Sequence, residues 1–125
     1  MICRTHARRL CGALLVVCCI GASVPAASHA LPVRASPGAG ATLTASPAKI
    51  SITFDDLLEP VFSTLRVEDA QGKEVAKGAA APNRPDAAVL EIALPALSPG
   101  TYHVFWSVVA RDGHRTIGDY KFTVQ

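Results

Sequence analysis

The chain has 125 residues, with 12 Lys and Arg against 10 Asp and Glu, four cysteines and one methionine, which leaves room for one ordinary domain and little else. Arg4, Arg8 and Arg9 lie in the first 28 residues and every acid lies after them, so residues 29–125 carry nine positive against ten negative charges, a net of −1, and the basic excess that suggests nucleic acid or an anionic membrane is gone. Cys3, Cys11, Cys18 and Cys19 sit in that same first segment, which excludes disulfides, zinc–thiolate sites and thiol redox chemistry from the remainder.

Residues 1–28 read as a secretory signal peptide. A charged start, "MICRTHARRL", leads into the apolar run "LCGALLVVCCIGASVPAA" and a small-residue exit. A transmembrane anchor is the weaker reading, because the strongly apolar part, Leu10 to Ile20, falls short of the roughly 20 residues that span a bilayer. The small-x-small rule allows cleavage after Ser28, leaving His29 as the new terminus, or after Ala30, removing it. The rule alone does not choose.

From residue 29 onward the pattern is that of an all-β domain. Apolar residues alternate in "KISITF" (Ile50, Ile52, Phe54), "STLRVED" (Leu65, Val67), "VLEIAL" (Leu90, Ile92, Leu94), "TYHVFWSV" (Tyr102, Val104, Trp106, Val108) and "DYKFTV" (Tyr120, Phe122, Val124), the period of two of strands with one buried face. "SPGAG", "ASPAK", "AQGK", "APNRPD" and "LSPGT" supply the turns between them. With one or two short strands near Pro32 to Thr44 and Glu74 to Lys77, about seven strands are expected, in an immunoglobulin-like β-sandwich. A small barrel is the alternative. Trp106, in step with Tyr102 and Val104, belongs at the centre of the core.

Chemistry-bearing residues are few. No Gly-rich phosphate loop and no nucleophile elbow occur. His103 falls on the opposite parity to Tyr102 and Val104 and should stand on the outer face. His114 lies in "VARDGHRTIGDY", which leaves a strand, turns at Gly113 and sets Asp112 and His114 two residues apart. Alone, Asp-Gly-His is more simply a turn. If cleavage makes His29 the terminus, however, its α-amine and imidazole can chelate one metal ion. His114 and Asp112 would complete a set of three nitrogens and one oxygen, which suits Cu(II), with zinc possible on fewer donors.

The residues quoted so far carry a family resemblance. "HALPVRASPGAGATLTASPAKISITFDDLLEPVF" followed by "SPGTYHVFWSVVARDGHRTIGDYKFTV" resembles the CopC family of periplasmic copper-binding proteins over nearly all of residues 29–125. The most specific part is the closing stretch, where Tyr102, Trp106, Asp112, Gly113, His114 and Gly118 fit the family pattern. The resemblance implies a Greek-key β-sandwich and Cu(II) held by His29, Asp112 and His114, with Glu59 as a supporting carboxylate for which Asp55 and Asp56 compete. It also tips the cleavage to Ser28.

The expected function is therefore that of a periplasmic Cu(II) carrier or sequestering protein with a single site. It is expected to be a monomer, not inserted in the membrane, and not an enzyme. The resemblance further implies a separate inner-membrane copper transporter of the CopD type as partner. Met1 is the only methionine and leaves with the signal peptide, so a soft-donor Cu(I) site is not expected. Amine and imidazole coordinate only when deprotonated, so acid should expel the metal. Two other readings remain at this level: a histidine-brace copper oxidase like the lytic polysaccharide monooxygenases, and a metal-free immunoglobulin-like interaction module.

Overall fold

The computed structural model describes residues 29–79 and 88–125. The proposed signal peptide and the "APNRPD" turn lie outside the described residues. The strands, in chain order, are β1 (Pro32–Ser36), β2 (Thr42–Leu43), β3 (Lys49–Phe54), β4 (Thr64–Glu68), β5 (Glu74–Ala79), β6 (Val89–Ala93), β7 (Gly100–Val109) and β8 (Arg115–Val124), with one 3-10 turn at Pro60–Phe62. The stretch from Pro32 to Thr44 thus supplies two strands, which brings the number among the described residues to eight. Among the same residues, no helix is long and apolar enough to cross a membrane.

The strands form a Greek-key β-sandwich of two sheets, ordered β1-β3-β6 and β2-β8-β7-β4-β5. Alternation decides which face of each strand meets the other sheet. Ile50, Ile52 and Phe54 of β3 face Leu65 and Val67 of β4 and Val104, Trp106 and Val108 of β7, all buried in one cluster. Trp106 makes an edge-to-face contact with Phe54, ring centroids 5.3 Å apart. Its ring lies against the backbone of Gly118, its register partner on β8, where a Cβ would collide with the indole. Tyr102 stacks on Phe122 at 5.6 Å and donates its hydroxyl to the Ser98 carbonyl at 2.7 Å.

The β7–β8 hairpin dominates the larger sheet, pairing from Gly100↔Val124 to Val109↔Arg115. β8 is longer than the alternation of "DYKFTV" suggests. Gly118 and the polar Thr116 interrupt the apolar rhythm, and pairing with β7 holds them in the strand regardless. One end of the hairpin is braced from outside the sheet: Leu58 bridges Ala110, the Arg111 N–H donates to Leu57, and the Glu59 N–H donates to Val109. Ser63 completes the brace. Fully buried, it donates its hydroxyl to the Glu59 carbonyl at 2.8 Å and accepts the Val109 N–H at 3.1 Å.

Candidate metal centre

Asp112, Gly113 and His114 form the tip of this hairpin. The Ala110 N–H donates to the His114 carbonyl at 2.9 Å and the Gly113 N–H to the Ala110 carbonyl at 2.9 Å, closing a three-residue loop of Arg111, Asp112 and Gly113. Its last residue must take a positive φ, and Gly113, at +88°, does so at no steric cost. The Asp-Gly-His turn is therefore short and closed by two backbone hydrogen bonds.

Within it, Asp112 is committed to His114 by both oxygens. Oδ1 accepts the His114 backbone N–H at 2.9 Å and Oδ2 lies 2.9 Å from Nδ1 of the ring. The backbone bond first, then the ring bond and the nearby His114 and His29 charges, hold the Asp112 carboxyl below the usual range. With Nδ1 engaged by a carboxylate, Nε2 is the nitrogen that His114 has left for a metal, the usual arrangement of a ligating histidine. The ring is 56% exposed.

His29 comes to this tip from the other end of the chain. Its ring centroid lies 5.4 Å from that of His114, tilted by 36°. The next two residues account for the approach. Ala30 is fully buried, with its carbonyl accepting the Thr116 hydroxyl at 2.8 Å. The Leu31 N–H donates to Oδ1 of Asp55 at 2.7 Å, and the Asp55 N–H returns a bond to the Leu31 carbonyl at 2.9 Å.

The structure thus brings His29, His114 and Asp112 together as two adjoining pairs. Among the described residues no three His, Cys, Asp or Glu side chains converge as a ready metal cluster, because Asp112 is turned onto His114. Glu59 is held by its backbone in the brace described above, and its carboxylate is bonded to none of the three. Of its competitors, Asp55 grips the N-terminal segment at Leu31, while Asp56 accepts the N–H of Leu57 at 2.7 Å. His103 stands on the outer face as expected, paired with Asp119 at 2.5 Å. Sequence reasoning missed Thr116; its one signal was parity, as a polar residue in step with the inward-facing Phe122 and Val124.

The CopC domain profile matches residues 32–125. The chain belongs to the CopC family. The match begins three residues after His29 and takes in the whole hairpin. The crystal structure of CopC from Methylosinus trichosporium OB3b is similar with a TM-score of 0.74 and 35% sequence identity, covering 78% of this chain and 94% of that one. Protein YobA of Escherichia coli K12 is 35% identical over 99 residues, 78% of this chain and 80% of its own. Copper resistance protein C of Xanthomonas campestris pv. juglandis is 31% identical over 124 residues, 94% of this chain and 97% of its own.

Proposed function

We propose that this CopC-family chain is a periplasmic Cu(II)-binding protein, a carrier or sequestering protein and not an enzyme, with one site made after export. Removal of residues 1–28 turns His29 into an α-amine and imidazole chelate. His114 adds Nε2, and Asp112 orients that ring or offers an oxygen. The names of the relatives support copper as the cargo, and three nitrogens with one oxygen suit Cu(II) in a tetragonal arrangement. Glu59 is the supporting carboxylate that the family resemblance implies. A separate inner-membrane transporter of the CopD type is the partner such a carrier would serve.

The approach of His29 to His114 is the observation that carries this reading. The burial of Ala30 supports the cut after Ser28. A cut after Ala30 would discard a residue for which the core has a fitted place and would leave the Thr116 hydroxyl without its acceptor.

The test is mass spectrometry of the exported protein, then Cu(II) titration of the form beginning at His29 beside a form carrying one extra residue ahead of it. We expect the terminus at His29 and a loss of at least tenfold in affinity on extension, because the amine is then an amide. Equal affinity of the two forms would sink the terminal-amine site, and no Cu(II) binding by either would sink copper carriage.

A further inference from the structure

A chain terminus is ordinarily the least ordered part of a domain, so a metal site that uses one loses affinity to the ordering it must impose. Here the two residues after His29 are held from both sheets at once. Ala30 is fully buried and tied through its carbonyl to Thr116 of β8. Leu31 is tied through its N–H to the side chain, and through its carbonyl to the backbone, of Asp55, one residue past the end of β3. Thr116 is the second residue of β8, and His114 lies in the turn immediately before that strand. The tether point of the terminus and the second histidine thereby belong to one hairpin, β7–β8 with its connecting turn.

We propose that Thr116 and Asp55 are positioning residues that clamp the backbone of residues 30 and 31, so that the His29 chelate is set beside His114 before copper arrives. This rests on the copper reading above and adds to it a division of labour: neither side chain need touch the metal. Supporting groups that orient metal ligands commonly change affinity by about 10–100-fold when lost, and order present before binding reduces what binding must impose.

The Asp55 contact is a hydrogen bond accepted from a backbone N–H, which an amide oxygen can also accept. The Thr116 contact needs only a hydroxyl. These two facts set the controls. In protein beginning at His29, Thr116→Val and Asp55→Ala should each weaken Cu(II) binding about 10–100-fold and alter the nitrogen hyperfine pattern of the Cu(II) electron paramagnetic resonance spectrum. Thr116→Ser and Asp55→Asn should restore both. Urea unfolding of each apoprotein, run in parallel, confirms that the variants titrated are folded.

If Thr116→Val is too unstable to titrate, Asp55→Ala with its Asn control carries the test. Folded Val or Ala variants with wild-type affinity and spectrum would overturn the clamp, as would failure of the Ser and Asn variants to rescue. If wild type binds no Cu(II), or binds it equally with the terminus extended, the parent reading fails, whatever the clamp variants do.

Discussion

Ser63→Ala measures how firmly the hairpin that carries Asp112 and His114 is braced. The hydroxyl is fully buried and serves two backbone groups, donating to Glu59 at 2.8 Å and accepting from Val109 at 3.1 Å. The two losses differ in size. The Glu59 carbonyl keeps the Phe62 N–H as donor at 3.1 Å, so it forfeits one ordinary hydrogen bond, net about 0.5–1.5 kcal/mol. The Val109 N–H is left unpaired in a buried setting, which costs about 1–3 kcal/mol. Together these predict a destabilisation of about 1.5–4.5 kcal/mol. For a domain of this size that is a fall in Tm of roughly 10 °C or more, and in urea a midpoint lower by about 1–2 M at an unchanged m-value. Equilibrium urea unfolding followed by Trp106 fluorescence is the assay. A loss below about 0.5 kcal/mol would show that water replaces the hydroxyl or that the turn at residues 60–62 relaxes, and the brace would then not be what fixes the base of the Asp-Gly-His loop.

Two further predictions concern the core beneath the site. Gly118→Ala places a methyl against the indole of Trp106, so overpacking should cost about 1–3 kcal/mol and shift tryptophan emission; unchanged melting and emission would refute the close approach. Among the described residues, Tyr120 has a buried hydroxyl with no hydrogen-bond partner, and burial pushes its pKa up to about 12. The folded value is raised, so the contribution is whole below the reference value of about 10 and is lost as pH climbs from there toward the folded value. Tyr120→Phe should therefore be neutral or stabilising at pH 7, by up to about 1 kcal/mol, and its stability should decline less than wild type's between pH 10 and 12. Equal alkaline decline of the two proteins in urea titrations would be the contrary result.

Much of the fold was legible because burial in a two-layer sandwich imposes a period of two on each strand. Ile50, Ile52 and Phe54, or Tyr102, Val104 and Trp106, announce their inward face without any knowledge of their neighbours. Less legible were features that pairing, not pattern, decides: the division of Pro32 to Thr44 into β1 and β2, and the start of β8 where Thr116 and Gly118 break the rhythm. The turn at Asp112–His114 was legible for a similar local reason, since Asp-Gly followed by a strand requires the positive φ that Gly113 supplies.

The choice among carboxylates was not legible. Asp55, Asp56 and Glu59 all follow the same strand within five residues. Asp55, just past the end of β3, still bonds Leu31 beside the ladder, whereas Glu59 has turned away to pair with Val109. That difference is set by the β7–β8 hairpin, whose partner strands lie about fifty residues further on.

The amino-acid sequence by itself determined the all-β class, the inward face of each main strand, the confinement of every cysteine to the first 28 residues, and the donor types available to a metal. These follow from side-chain chemistry and short-range periodicity. Only the tertiary structure decided that Ala30 is a core residue, that Thr116 and Asp55 hold the two residues beyond His29, and that Asp112 is turned onto His114. Each depends on segments far apart in the chain meeting where two sheets close, and contacts of that kind leave no local mark in the residues that make them.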